Sequence, residues 1–305
     1  MASQTQMGCC LKRLLSAALL LAIASPACAT TFILTVAGLG GEPDYEQRFA
    51  LLATDMDKIL RAGGATDRVI ETLKGPDATK AKFEAALGRF AAQAKSQDVV
   101  VLMMIGHGTF DGTEYKFNLP GPDISGTELA AQLNKIPATR QLVVDMTSAS
   151  GGITAALKKE GRTIITATKS GTEKNATIFA RFWVESLRDP TADTDKNEII
   201  SALEAFHYAQ TKTAAFFTEQ KRLATEHAQL EDTQRAAAFP LLRFGSAAAV
   251  INDPAKRDLV AKKEDIENKI DALKYQKDLM APDDYKRQIA TLLLDLAKTQ
   301  ELIDK

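Results

Sequence analysis

Cysteine is scarce in this sequence of 305 residues, and its placement matters more than its number. All three cysteines fall within the first 28 residues, at Cys9, Cys10 and Cys28. If that segment is removed on export, the remaining chain has no thiol. A chain without thiols has no disulfide, no zinc site built on thiolates and no cysteine nucleophile, so these three chemistries are excluded.

The N-terminal segment has the pattern of a signal peptide. Two basic residues, Lys12 and Arg13, precede an apolar run from residue 14 to residue 25. Small residues follow this run and predict cleavage after Ala29, so residues 1–29 form the expected signal peptide. We therefore expect an exported protein, periplasmic or secreted.

An excess of charge and long hydrophobic runs are also missing. Lysine and arginine number 38 against 39 aspartates and glutamates. The chain therefore lacks the basic excess that neutralises a phosphate backbone, and we expect no nucleic-acid partner. The run at residues 14–25 is too short to cross a hydrocarbon core of about 30 Å, so we expect no membrane association after signal removal.

Apolar segments alternate with segments of helical spacing between residues 31 and 187. Five short apolar runs predict strands, at residues 31–36, 69–73, 99–105, 141–146 and 163–168. Strands that are apolar on both faces and separated by helices indicate an α/β fold, a mostly parallel sheet flanked by helices on both faces. We expect this domain to occupy residues 30–252.

The pattern changes near residue 253. Two series of apolar residues then recur every seven positions, on either side of a Pro-Asp turn, at Leu259, Ile266, Leu273 and Met280 and at Ile289, Leu296 and Ile303. Two heptad helices joined by a short turn predict an antiparallel, coiled-coil-like helical hairpin over residues 253–305. Two roles are open for it: packing on the α/β domain, or self-association with another copy.

A histidine and a serine follow two neighbouring strands of the predicted sheet. His107 comes directly after the strand at 99–105 with a glycine on either side, and Ser148 lies just past the next strand along the chain. The carboxyl ends of parallel strands meet at one edge of a sheet, so we expect imidazole and hydroxyl to lie a few ångströms apart. That distance suits proton transfer from a serine to a histidine base. The other histidines, His207 and His227, fall in segments predicted as helices.

These two turns resemble those of the legumain-like branch of the caspase-type cysteine peptidases. In both, an apolar strand enters His-Gly, and about forty residues later a second apolar strand enters a small-residue turn that ends in Ser-Gly. The resemblance implies a caspase-like fold in which His107 is the general base and Gly108 donates its N–H to the oxyanion. The position of the family's nucleophilic cysteine is taken by Ser148, so a hydroxyl replaces the thiol.

Two functions remain open at this point. In the first, the protein is a hydrolase of peptides or proteins in which Ser148 attacks a carbonyl and His107 takes its proton. Asp111 is then a candidate to orient the imidazole. In the second, it is an inactive relative of the peptidases that binds a peptide or protein ligand or serves in assembly. The family's substrate-binding arginine directly follows a tyrosine, whereas two residues separate Tyr45 from Arg48 here. Arg48 therefore has two possible roles, as the substrate-binding arginine or as a charge on the surface of a helix.

The spacing of oxygen-bearing residues at 193–204 fits an EF-hand-type calcium loop. The ligands would be Asp193, Asp195, Asn197, the carbonyl of Ile199 and a bidentate Glu204. Glu198 occupies the position that is normally glycine, so it would have to adopt a positive φ. The alternative is an acidic loop that caps a helix expected from Glu198 onward.

Overall fold

The computed structural model of the protein describes residues 29–63, 67–245, 253–275 and 277–304. Residues 1–28, which hold almost all of the predicted signal peptide, lie outside the described residues. Within the described ranges, no helix has both the length and the apolar character needed to cross a membrane.

Strands and helices alternate through the first part of the chain, as the sequence predicts. The strands of the described residues are β1 (Thr31–Ala37), β2 (Arg68–Leu73), β3 (Val99–Ile105), β4 (Gly108–Phe110), β5 (Tyr115–Phe117), β6 (Ile124–Ser125), β7 (Arg140–Asp145), β8 (Arg162–Thr166), β9 (Ile199–Ser201), β10 (Gln229–Glu231) and β11 (Pro240–Arg243). The α-helices are α1 (Pro43–Ala62), α2 (Lys80–Gln93), α3 (Gly126–Asn134), α4 (Thr154–Leu157), α5 (Phe179–Ser186), α6 (Ala202–Glu219), α7 (Thr233–Ala237), α8 (Pro254–Tyr275) and α9 (Pro282–Asp304). The five predicted strands are all present, with ends that differ from the prediction by two residues at most.

The central sheet has six strands in the order β10-β8-β7-β3-β1-β2. Neighbouring strands are parallel throughout, except that β10 pairs with β8 in the antiparallel direction at one edge. Helices cover both faces of the sheet, so strands such as β3 are buried along their whole length. The predicted fold class, a mostly parallel sheet flanked by helices, is confirmed.

Alternate residues of the strands face two separate hydrophobic cores. On one face, α1, α5 and α6 cover the sheet, with Met56 and Trp183 fully buried. On the other face, α2, α3 and α4 cover it, with Phe83 and Leu133 fully buried. Burial of one large apolar side chain stabilises a fold by about 1.5–3 kcal/mol. Two complete cores therefore fix the sheet and the loops at its ends.

The register of the sheet brings three loops to one edge. Ala37 at the end of β1 pairs with Ile105 at the end of β3, and Met104 pairs with Asp145 at the end of β7. The pairing continues past the strands, since Met146 N donates to Met104 O at 2.9 Å. The loops that follow β1, β3 and β7 therefore lie side by side at the carboxyl edge of the sheet.

Two small sheets were not expected from the sequence. β4, β5 and β6 form an antiparallel sheet directly after β3, and β9 pairs with β11. These strands have two to four residues, too few for a periodic pattern to show. The helix expected from Glu198 begins at Ala202 instead, because β9 precedes it and Ser201 caps α6.

α8 and α9 form the C-terminal helical hairpin. Lys256 in the first turn of α8 donates to the carbonyl of Ile303 in the last turn of α9 at 2.5 Å, so the two helices are antiparallel. At heptad positions of α8, Ile266 and Leu273 are buried. Coiled-coil geometry and the division of the chain near residue 253 stay predictions.

Candidate functional site

The turn after β3 places His107 against two aromatic rings of α1. The imidazole meets Tyr45 and Phe49 edge to face, with ring centroids 4.8 and 5.1 Å away. Tyr45 and Phe49 share one side of α1 because they are four residues apart. The half-buried imidazole is desolvated, which lowers the pKa of His107, and the Gly40 carbonyl and the charge of Glu42 offset this only in part. The lowered pKa favours the neutral imidazole, the state that a general base requires.

The glycine of the His-Gly turn is required by close packing. A Cβ at Gly108 would lie 2.5 Å from the carbonyl oxygen of Ser148 and 2.5 Å from the Tyr115 ring. Only a residue without a side chain fits at that distance. The turn after β3 thus packs directly on the turn after β7, and the predicted residues Gly108 and Ser148 come into contact.

The hydroxyl of Ser148 is bound by the backbone of Gly108 and not by His107. Gly108 N donates to Ser148 Oγ at 3.1 Å, and Ser148 Oγ donates to Gly108 O at 3.2 Å. Ser148 is 2% exposed. Among the described residues, no hydrogen bond joins His107 to Ser148. The N–H that would stabilise an oxyanion is instead bound to the hydroxyl of the expected nucleophile.

A buried polar network lies beneath this turn. Tyr115 OH and Thr147 Oγ1 are 2.6 Å apart, and Thr147 Oγ1 donates to the carbonyl of Ser148 at 3.1 Å. Thr147 N donates to Asp145 Oδ1 at 3.1 Å. Burial raises the pKa of Asp145 to about 6, and burial together with the charge of Asp145 raises the pKa of Tyr115. The network links β5 to the end of β7 and holds the main chain at Ser148.

The residue that follows Ser148 has a strained backbone. Ala149 has a φ of 55°, in the left-handed region that costs a residue with a Cβ about 1 kcal/mol or more. Its N–H donates to the carbonyl of Glu173 at 2.7 Å, and the residue is fully buried. The sharp turn after β7 is therefore held in place by the loop that follows β8.

A cavity of about 340 Å³ lies beside the two turns. Its wall combines the ends of β3 and β7 with residues of α1, of α6 and of the start of α5, namely Arg48, Phe49, Leu52, Ile105, Met146, Thr177, Ile178, Ala180, Arg181 and Phe216. Phe49 belongs both to this wall and to the packing around His107. The volume is that of a site for a small ligand or a side chain of a larger one.

Two arginines stand in the otherwise mainly apolar wall of this cavity. Arg48 pairs with Asp44 at 3.7 Å, and its guanidinium lies 5.1 Å from the centre of the Tyr45 ring. Arg48 is thus a charge on the surface of α1 that also lines the cavity, and a role in substrate binding stays a prediction. Arg181 was not found from the sequence, because nothing in its spacing connects α5 to the turn at Ser148.

Asp111 does not orient the imidazole of His107. Its Oδ1 accepts the N–H groups of Thr113 and Glu114, each at 2.8 Å, and so closes the turn between β4 and β5. The backbone N–H groups of Glu114 and Thr113 lower the pKa of this exposed carboxyl. Within the part of the chain that the structure describes, no carboxylate is hydrogen-bonded to His107, so no third member of a triad is present there.

The other two histidines lie outside the carboxyl-edge turns. His207 lies on α6, as expected, and is exposed there, but His227 lies in an irregular segment and not in the expected helix. His227 Nδ1 is 2.6 Å from Glu173 Oε1. Beside it, Glu226 accepts two backbone N–H groups at the start of α5, at 2.8 and 3.3 Å. Burial raises the pKa of Glu226 to about 7, and the nearby charge of Glu173 acts in the same direction.

Three carboxylates of the predicted calcium loop come together. Ligand oxygens of Asp193, Asp195 and Glu204 lie within 4.8 Å of one another. Glu198 has a φ of 64°, the positive value that the calcium-loop prediction requires at this position. Burial and the charges of Glu204 and Asp193 raise the pKa of Asp195. The cluster therefore gathers negative charge that a cation would neutralise.

Hydrogen bonds within this loop also fit the alternative prediction, an acidic loop that caps a helix. Asn197 Oδ1 accepts the N–H of Ile199 at 2.8 Å, and Glu204 Oε2 accepts the N–H of Ser201 at 3.0 Å to cap α6. Carboxylate, amide and carbonyl oxygens are the hard ligands that calcium prefers, so the donor set fits this ion. Calcium binding stays a prediction, and the helix cap is present.

No protein-family model matches the chain, and no curated protein sequence matches it. Among solved structures, the chain is similar to a Geobacter sulfurreducens protein, GSU0716, with 14% identity and a TM-score of 0.47 over 71% of this chain and 99% of that one. It is also similar to the Drosophila initiator caspase Dronc, with 8% identity and a TM-score of 0.46 over 67% of this chain and 79% of that one. For caspase-1 from Spodoptera frugiperda, the identity is 12% and the TM-score 0.45 over 68% of this chain and 86% of that one. Two of these three similar structures are thus caspases.

Proposed function

We propose that this protein binds peptide segments at the carboxyl edge of its sheet and does not hydrolyse them through Ser148. The observation that carries the proposal is the pair of hydrogen bonds between Ser148 Oγ and the backbone of Gly108, at 3.1 and 3.2 Å. A serine nucleophile has to reach its substrate while bonded to its base. Here the hydroxyl is buried, and the imidazole of His107 packs on Tyr45 and Phe49.

The chemistry of serine supports the same conclusion. Serine holds its proton far more tightly than cysteine does, so its attack depends on a well-oriented base. Desolvation lowers the pKa of His107, and the described residues supply no carboxylate bond to orient its ring. A histidine–serine pair without these aids is a weak catalyst, whereas the surrounding fold still forms a binding surface.

The cavity beside the turns defines the ligand chemistry that we propose. Arg48 and Arg181 line a wall that is otherwise mainly apolar, and their guanidinium groups lie over the rings of Tyr45 and Phe182, at 5.1 and 5.3 Å from the ring centres. Guanidinium groups pair with carboxylates through two parallel hydrogen bonds, and apolar walls accept the aliphatic part of a side chain. We therefore expect peptides whose aspartate or glutamate enters this cavity to bind best.

Fluorescence anisotropy with matched peptides tests this proposal. Pairs of labelled peptides that differ only in Glu or Gln are titrated with the wild type and with variants. We expect Glu peptides to bind more tightly, and Arg48→Ala and Arg181→Ala each to weaken binding about tenfold, or about 1.4 kcal/mol. Equal binding of the Glu and Gln peptides would overturn the acidic preference.

Two further variants complete this experiment. Arg188→Ala is the matched control, because Arg188 pairs with Asp55 at 3.1 Å and is not part of the cavity wall. It should bind as the wild type does. Ser148→Ala should also retain binding, since the proposal gives the hydroxyl no chemical role.

A serine hydrolase is the second candidate function. It is favoured by the contact between the turns that carry His107 and Ser148, which places Gly108 N 3.1 Å from Ser148 Oγ, so an oxyanion donor would lie beside the nucleophile once the hydroxyl turned towards a substrate. The test is digestion of an unbiased peptide library by the wild type, Ser148→Ala and Ser150→Ala, read by mass spectrometry. Ser150 is a buried neighbour whose Oγ lies 3.2 Å from Thr168 Oγ1, and it serves as control. Cleavages lost only in Ser148→Ala would establish the hydrolase and overturn the binding-only proposal.

A further inference from the structure

A buried carboxylate lies beside the first residue of the predicted mature chain. Asp98 directly precedes β3 and is 4% exposed. Its Oδ1 accepts the backbone N–H of Thr30, 68 residues earlier in the chain, at 2.8 Å. Its Oδ2 accepts the N–H of Lys95 in its own turn at 2.7 Å. One oxygen of Asp98 thus closes the turn before β3, and the other binds the nitrogen of the peptide bond that the predicted cleavage breaks.

The amino ends of the strands fix Thr30 in this position. The carbonyl of Thr30 accepts the N–H of Val99 at 3.0 Å, and the N–H of Thr31 donates to the carbonyl of Asp67 at 2.8 Å. The pairing of β1 with β2 and with β3 begins at Thr31. Successive N–H groups of a strand between two neighbours point to opposite sides, so the register of β1 turns the nitrogen of Thr30 towards Asp98.

A second carboxylate lies on the other side of this end of β1. Asp67 directly precedes β2, and its Oδ1 is buried with no hydrogen-bond partner among the described residues. Within the same residues, no lysine, arginine or histidine side chain forms an ion pair with Asp98 or Asp67. A buried carboxylate without a cation costs free energy, because no opposite charge offsets its desolvation. The two carboxylates therefore favour a positive charge at the start of β1.

We propose that Asp98 is the binding site for the α-ammonium group of Thr30, which removal of the signal peptide creates. The proposal rests on the predicted cleavage after Ala29 by a signal peptidase of the host. This hydrolysis adds one water: its hydroxyl goes to the carbonyl carbon of Ala29 and its proton to the nitrogen of Thr30. The new acid then loses a proton, and the new amine gains one. The nitrogen that donates a single N–H to Asp98 before cleavage thus carries a positive charge afterwards, at the same place.

Cleavage changes this contact from an amide hydrogen bond to an ion pair. Hydrogen bonds between two ionised groups are shorter and stronger than those of a neutral donor. Because Asp98 is buried, salt screens this pair less than it screens a pair on the surface. The pair joins the starts of β1 and β3, the strands that lead at their other ends into the loops of Gly40 and His107. We therefore expect the folded mature chain to be more stable than the folded uncleaved chain.

Mass spectrometry of the exported protein tests whether this terminus exists. The full chain, residues 1–305, is produced in a bacterial host that exports it, and the first residue of the purified protein is identified from its intact mass and its N-terminal peptide. We expect Thr30. A chain that begins at another residue, or that keeps its first 29 residues, would overturn the proposal, because the ammonium group would then lie away from Asp98.

An insertion distinguishes an ammonium group from an amide at Asp98. One serine inserted between Ala29 and Thr30 moves the terminal nitrogen about 3.3 Å along the chain, while Thr30 N remains an amide donor. We expect the exported insertion variant to melt about 2–4 °C below the wild type. Thr30→Ser is the matched control, since it keeps the terminus at residue 30, and it should melt as the wild type does. Equal melting of the wild type and the insertion variant would show that Asp98 accepts only an amide N–H and would overturn the proposal.

The reactivity of the terminal amine reports its charge partner. An amine-reactive ester labels only the unprotonated amine, and a carboxylate partner keeps the amine protonated. Asp98→Asn keeps an acceptor at the same buried place but removes the charge. We expect the amine of Thr30 to be labelled about tenfold more slowly in the wild type than in Asp98→Asn, a difference of about 1.4 kcal/mol.

Asp77→Asn is the control for the labelling experiment, because Asp77 is exposed and pairs with Lys82. Its terminal amine should be labelled at the wild-type rate. The inserted serine should also leave the melting temperature of Asp98→Asn unchanged, since the ion pair is already lost. Equal labelling of the wild type and Asp98→Asn would overturn the proposal. If Asp98→Asn does not fold, the comparison of the wild type with the insertion variant still decides.

Discussion

Gly108 and Ser148 are joined by two hydrogen bonds, one in which the glycine N–H donates to the serine hydroxyl and one in which that hydroxyl donates to the glycine carbonyl. The hydroxyl thereby ties the turn after β3 to the turn after β7. A thiol is a weaker donor and a weaker acceptor, so a cysteine at residue 148 would make this contact less strong. Serine at this position therefore favours the structure of the site over its reactivity.

Removal of this hydroxyl should cost stability. Ser148→Ala leaves the buried N–H and carbonyl of Gly108 without their partner, and an unsatisfied buried group costs about 1–3 kcal/mol. We expect the free energy of unfolding, measured by urea denaturation, to fall by this amount. Ser96→Ala at an exposed position should change it by less than about 0.5 kcal/mol. An equal effect of the two variants would contradict a structural role for Ser148.

A side chain at residue 108 should disturb the site strongly. In Gly108→Ala, the new Cβ would lie 2.5 Å from the Ser148 carbonyl and 2.7 Å from Thr147 Oγ1, so the two turns would have to separate. We expect a loss of about 1–3 kcal/mol in the free energy of unfolding, as for other overpacked sites. Gly88→Ala is the control, because no atom lies within 4 Å of a Cβ there. In the middle of α2, alanine should stabilise the protein by up to about 1 kcal/mol.

Asp145 should make the protein less stable as the pH rises. Burial raises the pKa of its carboxyl to about 6, above the value of about 3.9 in an unfolded chain. The native state therefore keeps this proton to a higher pH than the unfolded state. The resulting stabilisation is complete below about pH 4 and is lost as the pH rises through 6, by an amount on the order of 3 kcal/mol.

Urea denaturation between pH 4 and pH 7 measures this dependence. Asp145→Asn keeps an acceptor for Thr147 N but cannot titrate, so it should remove the loss of stability around pH 5 to 6. Glu226→Gln is the comparison. Burial raises the pKa of Glu226 to about 7, so ionisation of this carboxyl also lowers the free energy of unfolding as the pH rises, and its effect extends to higher pH than that of Asp145. If stability in the wild type and in Asp145→Asn changes identically with pH, Asp145 does not titrate as described.

Calcium should stabilise the loop at residues 193–204. We expect CaCl₂ to raise the melting temperature of the wild type, and Asp195→Asn to reduce this shift by removing one negative ligand from the cluster. Glu198→Gly should bind calcium more tightly, because glycine adopts the φ of 64° without the cost of about 1 kcal/mol that a Cβ imposes. MgCl₂ is the control metal. A melting temperature that is unaffected by calcium in all three proteins would show that the loop is a helix cap only.

Local pattern in the chain was sufficient for the architecture around the site. β3 is apolar at every position and is followed by a glycine, so its burial, its end and the turn at His107 could be predicted. The same holds for β7 and Ser148. Parallel strands place their carboxyl ends together, which is why the two turns were expected to meet. The heptad spacing of α8 and α9 predicted two helices for the same reason, since periodicity records which side of an element is buried.

The chemistry of the site depends on contacts between segments that are distant in sequence. Ser148 Oγ is hydrogen-bonded to the backbone of Gly108, forty residues earlier in the chain, and only the packing of the two turns brings these groups together. Arg181 joins Arg48 at the cavity only because α5 and α1 lie on the same face of the sheet. Asp111 accepts hydrogen bonds from its own turn, and His227 is hydrogen-bonded to Glu173. Periodicity reports burial along one segment, whereas a hydrogen-bond partner or a cavity wall exists only when several segments are packed together.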